Sequence, residues 1–395
     1  MLNRRILGLA RAPMVVFAAM GILWGTFAAD LPDLKTMLGI SDSRLGLLLF
    51  MTPIAAMATM LAAPMISARL GRMALPLSAL TMAAAFVLPG QVAHWGLFAL
   101  AMLACGAGTG ATDVLMNARA AAIEAQHRQP LMTLCHAAYS FGYATGALGT
   151  GALRSAGLPP PDVMPMMALL AASLIVLSFE RDGRIEGLTR PYDEKPMPMG
   201  LLPLIGGGIV LIAFMTENAA ESWSALHIER NLNGSPTLGA AGPAILALTM
   251  GFSRLLFQGM SGRIQPVTAM LGGATVSALG ALIVAAAISP VMAYLGFITM
   301  GIGSSVLAPM AFSQVGALSP PQQRTRAIAR TTLLGYFGYF IGPPTVGAIA
   351  GTLGLPAAFV FAAAMLCLVW LLAPKLKAPT LASPTFRSSD LGSRR

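Results

Sequence analysis

Twelve apolar runs of about 20 residues each divide the chain. They lie at 12–34, 45–68, 73–93, 95–118, 131–153, 163–179, 200–227, 237–258, 266–288, 291–317, 328–351 and 355–373. A helix of that length crosses the hydrocarbon of a bilayer, and in lipid a helix satisfies its own backbone polar groups. Charge is scarce to match. Only 10% of residues are charged and 56% are hydrophobic, where a soluble domain carries about 25% charged residues. The 42 Gly and 28 Pro are scattered through the runs, which membrane helices tolerate. The sequence predicts an all-α membrane protein with twelve transmembrane helices. Its first run continues past Trp24 to Leu34 with no small-residue cleavage site, so it reads as a spanning helix rather than a signal peptide.

The net charge of +10 does not point to nucleic acid, because its distribution follows the membrane. With the N-terminus inside, 21 of the 25 Lys and Arg residues fall in segments facing the cytoplasm, among them Arg11, Arg69, Arg72, Arg119, Arg254 and Arg330. Lys35, Arg44, Arg154 and Arg230 remain on the other side. This is the positive-inside asymmetry, and it puts both termini in the cytoplasm of a bacterial-type inner membrane. Cys105, Cys135 and Cys367 all lie in apolar runs, form no CxxC pair and read as small packing residues.

The chain is also internally duplicated. Phe141-Gly142-Tyr143 with Gly146 and Gly151 recurs as Phe337-Gly338-Tyr339 with Gly342 and Gly347, an offset of 196. Gly106 and Gly108 recur as Gly301 and Gly303, an offset of 195. Leu38 to Ser41 with Leu45-Gly46 recurs as Leu232 to Ser235 with Leu238-Gly239, an offset of 193 to 194. Three matches in order at nearly one offset predict two parallel six-helix lobes. The lobes are read as residues 1–180 and 200–373, with a cytoplasmic linker at 181–199 and a disordered, basic cytoplasmic tail at 374–395. At an offset of 194, the counterparts of Glu217 and Glu221 are Leu23 and Phe27.

The motifs resemble the major facilitator superfamily. Within it they are similar to the branch of rhizopine-transport-type membrane proteins and, more distantly, to fucose permease-like sugar/proton symporters. The residues that carry the likeness are Trp24-Gly25, Leu31-Pro32, Leu38-Gly39, Ser41-Asp42 and Leu45-Gly46, then Arg69-Leu-Gly71-Arg72. They continue with Thr112-Asp113-Val114 to Asn117, His136-Ala137, Ser140-Phe141-Gly142, Glu221-Ser222-Trp223, Gly335-Tyr336 and Gly342-Pro343-Pro344. The resemblance implies secondary transport by alternating access, with helices 1, 4, 7 and 10 lining a cavity and helices 3, 6, 9 and 12 facing lipid. It also implies a gating role for Arg69, Gly71 and Arg72 in the loop after the second helix. The family's loop usually reads Gly-x-x-x-Asp-Arg-x-Gly-Arg. Here Pro64 and Ala68 stand at its first Gly and its Asp, so the acidic member of that latch is missing.

Ionisable residues inside a membrane are costly, at roughly 2.5–3.5 kcal/mol each on insertion scales, and mark function by default. Here Asp30, Asp113, His136, Glu217 and Glu221 lie in apolar runs, with Arg330 near the inner end of the eleventh, and runs 3, 6, 9 and 12 have none. Glu217 and Glu221 are four apart and share a helix face. They suit a cation or amine, sugar-like hydroxyls or a coupling proton, and equally a structural pairing with Arg330. Asp113 and His136 are equidistant from the turn between their helices, which predicts one depth, with Asn117 a turn from Asp113. They form either a coupling pair or an inter-helix hydrogen bond.

Asp30 serves either a coupling site or the outer interface, and Asn218 is a further binding candidate. Trp24, Tyr139, Tyr143, Trp223, Gln314, Tyr336 and Tyr339 are candidate cavity-lining residues that serve equally as packing, and Arg330 joins the gating candidates. The chain carries no HExxH, GxSxG or P-loop, which argues against an enzyme. The expected partners are a small polar solute and the lipid bilayer, with protons as the coupling ion, no metal or other cofactor, and a monomeric chain. The alternative is a proton-driven exporter of amphipathic or cationic compounds.

Overall fold

The computed structural model describes residues 4–127, 131–183, 185, 200–259, 264–320 and 323–376. The expected linker and tail fall mostly outside them. Among the described residues, ten stretches are long and apolar enough to span a membrane. One of them, 42–91, is folded back at Gly71, whose φ of +55° makes the turn. A further helix, Met132–Ser155, is not among the ten, since it carries His136, Tyr139, Ser140, Tyr143 and Arg154. It nevertheless packs along its neighbours as a full pass. The described residues thus make twelve passes.

In the N-terminal lobe these are α1 (Arg4–Leu38), α2 (Asp42–Leu49 and Met51–Leu70), α3 (Ala74–Ala85), α4 (Trp95–His127), α5 (Met132–Ser155) and α6 (Pro160–Ile175). The second lobe has α7 (Leu202–Leu226), α8 (Pro236–Gly259), α9 (Pro266–Ala285), α10 (Pro290–Ser304 and Leu307–Leu318), α11 (Arg324–Leu353) and α12 (Leu355–Cys367). We call the face on which α1 begins the inner face. Helix starts follow local chemistry. Ser41 and Ser289 accept hydrogen bonds from the amides of Arg44 and Met292, and Pro160, Pro203, Pro266 and Pro290 fill first-turn positions where no amide is needed.

The duplication is visible in the packing. In each lobe the first and fifth helices are pressed together through glycines, where lipid supplies no hydrophobic drive and close backbone approach must hold the pair. A side chain at Gly142 would meet the carbonyl of Ala18, and one at Gly338 the carbonyl of Leu211. Gly146 faces Ile22 as Gly342 faces Met215. These contacts put the structural offset between α1 and α7 at 193, one less than the sequence reading. The counterpart of Glu217 is therefore Trp24, and that of Glu221 is Ala28.

Helices α6, α9 and α12 lie outside and turn large side chains outward, with Leu169, Leu279 and Val360 72%, 53% and 48% exposed. The lobes meet along α5–α8 and α2–α11. Toward the outer face the seam is dense. Ala29, Ala144, Ala147, Ala240 and Ala244 form one buried cluster across it, and the N-lobe core continues into Trp223, Leu226, Val346 and Ala350 of the second lobe. Gly46 of α2 lies against Pro343 and Gly347 of α11. Further in, the Met51–Leu70 part of α2 has little contact with α11. The lobes are joined at the outer face and parted at the inner one.

Candidate functional site

Helix α7 presents Phe214, Glu217, Asn218 and Glu221 on the half-buried side that it turns to the interior between the lobes. Glu217 takes a hydrogen bond from an Nη of Arg254 at 3.3 Å, with the side chains 13% and 22% exposed. Arg254 is on α8, so the cation sits in the membrane interior. The charge pattern had assigned it to an inner loop. Among the described residues Glu221 has no salt-bridge partner of its own, and it sits in the fields of Glu217 and Arg254.

Tyrosines surround the two carboxylates. Tyr139 and Tyr143 of α5 and Tyr339 of α11 all feel the charges of Glu217 and Glu221. Phe214 stacks on Tyr339 with ring centres 4.9 Å apart and meets Tyr336 edge-on at 5.9 Å. Across this space, Asp113 of α4 accepts hydrogen bonds from Asn117 Nδ2 at 3.1 Å and from Tyr336 Oη of the opposite lobe at 3.1 Å. The expected Asp113–His136 bond is therefore replaced by a bond between lobes. His136 packs edge-on against Phe17 at 4.9 Å and lies in the field of Arg254. Trp24 is half-buried against Phe27 and Phe86.

Other candidates lie elsewhere. Arg330 is exposed near the inner end of α11, so the acids of α7 pair with Arg254 instead. Gln314 donates to the carbonyl of Leu376 at 2.7 Å, which fastens α10 to the helical turn Ala373–Leu376 that follows α12 rather than lining a cavity. Trp223 is 1% exposed and belongs to the packed core. Asp30 is fully buried at the outer end of α1, 3.6 Å from Arg154, outside the central space. Arg69 is exposed, Gly71 makes the α2–α3 turn, and Arg72 lies over the ring of Phe179 at 5.7 Å. The acid near this loop is Glu180, which pairs with Arg119 of α4 at 2.7 Å.

At the outer ends of the helices the sequence offered only Asp30 as a site candidate; Lys35, Arg154 and Arg230 entered it only through their side of the membrane. Arg154 of α5 bonds Asp33 of its own lobe and Glu229 of the other, each through two nitrogens at 2.7–2.9 Å. Beside it, Arg230 reaches Asp42 at 2.6 and 3.1 Å, and Lys35 reaches Asp42 at 2.6 Å. The adjacent opposite charges Glu229-Arg230, following α7, were the signal available in the sequence. Among the described residues, no three His, Cys, Asp or Glu gather as metal ligands.

The central site thus brings Asp113 from one lobe together with Glu217, Glu221 and Arg254 from the other, in an aromatic setting. That arrangement can hold a polar or cationic solute, and its carboxylates can take up protons. A family profile described as Major Facilitator Superfamily matches residues 205–391. The chain is 28% identical over 358 residues to an uncharacterized MFS-type transporter of Yersinia pestis, covering 90% of this chain and 92% of that one. It is 25% identical over 349 residues to the membrane protein MosC of Rhizobium meliloti, covering 86% and 83%. Among solved structures, the nucleoside transporter NupG aligns with a TM-score of 0.74 at 13% identity, covering 94% of this chain and 100% of that one. A bacterial homolog of the human lysosomal transporter Spinster, in an inward-facing and unoccupied conformation, aligns with a TM-score of 0.72 at 14% identity, covering 96% and 100%.

Proposed function

We propose that the chain, which is similar to proteins of the major facilitator superfamily, is a proton-coupled secondary transporter of a small polar organic solute, sugar-, inositol- or amine-like, working by alternating access. The observation that carries this reading is the inter-lobe bond of Asp113 to Tyr336, set beside Glu217 and Glu221. A hydrogen bond to a carboxylate is worth about 1.5–3 kcal/mol. Protonating the acid weakens such a bond, so proton binding and lobe movement become coupled equilibria. The solute binds between the lobes, against Tyr139, Tyr143, Tyr336, Tyr339 and Phe214, with Asn117 and Asn218 as polar contacts. We place the chain in a bacterial inner membrane as a monomer, with both termini and the open inner face toward the cytoplasm.

Glu217 and Glu221 share the single guanidinium of Arg254, with Asp113 across the same space, and this favours a cationic solute within the same reading. It equally supports an exporter of amphipathic cations, since the gradient sets the direction. The test is transport in proteoliposomes. Asp113→Asn, Glu217→Gln and Glu221→Gln are each assayed for uptake driven by a pH gradient and for solute exchange without one. The proposal expects at least one variant to lose gradient-driven uptake while keeping exchange. Undiminished gradient-driven uptake in all three would overturn it.

A further inference from the structure

The outer charge cluster contains a carboxylate that its partners do not satisfy. All five N–H donors of Arg154 are engaged: Nε and one Nη with Asp33, both Nη groups with Glu229, and one Nη also with the carbonyl of Ala29 at 2.7 Å. Asp30 lies 3.6 Å from Nε and is fully buried, yet neither of its oxygens has a hydrogen-bond donor among the described residues. The charged groups that face it are Arg154 from α5, Asp33 from its own helix and Glu229 from beyond α7. Lys35, Asp42 and Arg230 form a second layer that is internally paired. One guanidinium therefore serves three carboxylates. Asp33 is 39% exposed on its side chain and Glu229 13%, while Asp30 has no water contact. A buried carboxylate without donors, beside two others, is costly as an anion.

We propose that Asp30 is a positioning residue for the transport cycle, holding a proton while the outer face is closed and giving it up when the face opens. The reason is competition for Arg154. Closure brings Glu229 across from the other lobe to occupy both Nη groups, so Asp30 is left without donors and stays neutral. Opening withdraws Glu229 and frees those N–H groups, and Asp30 then ionises against Arg154 and meets external water. The closed form binds one more proton than the open form. Acid outside therefore favours closure, and alkaline conditions favour opening. With one proton exchanged, the open-to-closed ratio changes by at most about tenfold per pH unit. This inference rests on the outer gate alone and holds for any solute.

The experiment uses the full chain with its three native cysteines replaced by alanine and spin labels at Ala156 and Ala286, at the outer ends of α5 and α9. Distances between labels are measured by electron spin resonance at stepped pH with no solute present. In the otherwise unchanged protein the long-distance population should grow as pH rises. Asp30→Asn should hold the short distance with no pH dependence. Glu229→Gln should raise the open population and move the transition to lower pH. Thermal stability at acid pH separates this from misfolding, because Asn mimics a protonated Asp, and Asp30→Asn should melt with the parent there. A parent protein whose distances do not change with pH would overturn the proposal. An Asp30→Asn variant that keeps the parent's profile, or that melts well below it at acid pH, would do the same.

Discussion

Tyr336 shows how much one hydroxyl decides. Its ring packs with Phe214 and Tyr339, and only its oxygen touches Asp113. Tyr336→Phe keeps the packing and removes a donor worth about 1.5–3 kcal/mol to a carboxylate, roughly 10- to 100-fold in the equilibrium between lobe arrangements. Spin-label distances across the inner ends of α4 and α11 should lengthen in the variant, and solute affinity should fall. Arg254 is the other residue of this kind. Breaking a buried ion pair by removing one member costs about 3–5 kcal/mol, less where water reaches the pair as it does here. Arg254→Gln should therefore both lower thermal stability and impair transport. Arg254→Lys should recover stability better than transport, since a point charge does not reproduce the guanidinium's donors. In the sequence, Glu217 and Glu221 were conspicuous because acids are rare in apolar runs. Arg254 was not, because an arginine close to the end of a run also reads as a loop residue.

At the level of helices, the glycines of α5 and α11 set the approach of α1 and α7. A Cβ at Gly142 would collide with backbone of α1, which cannot yield as a flexible side chain can. Gly142→Val should therefore separate α1 from α5 and abolish a monodisperse folded preparation. Gly272, on the lipid-facing side of α9, has nothing within 4 Å of an added Cβ. Gly272→Ala should be neutral or stabilising by up to about 1 kcal/mol through helix propensity. Comparing size-exclusion profiles and melting temperatures of the two variants checks the pair. The repeat that revealed the two lobes in the sequence is built on these same glycines, which recur because the same helix contact is made twice. That is why the architecture was legible. The α5 pass was legible as the run at 131–153, although its polar side chains weaken the apolar signal of a helix that the repeat and the packing both require.

For the whole molecule, the outer closure of the two lobes is the property on which the cycle turns. Ser155 of α5 and Thr237 of α8 have their hydroxyl oxygens 2.5 Å apart across the seam. A Ser155→Cys, Thr237→Cys double variant places two thiols within disulfide range. Oxidised, it should hold the outer face shut and stop transport in proteoliposomes, and reductant should restore it. Transport that continues with the bond formed would mean that these ends do not separate.

Composition, run length and repeat were enough to determine a helical membrane protein of two six-helix lobes with acids at its centre. They suffice because lipid penalises every unpaired polar group, so spans and buried charges stand out one residue at a time. The pairing of those charges is a different matter. Asp113 with Tyr336, Glu217 with Arg254, and Arg154 with Glu229 are separated by 223, 37 and 75 positions. No helical period links partners so far apart. Asp30 and Glu217 look alike as acids in apolar runs, and Arg154 and Arg254 look alike as loop cations. Only the tertiary structure decides that one acid–arginine set lies in the central site and the other in the outer seal, because a partner is chosen by proximity after the lobes have packed.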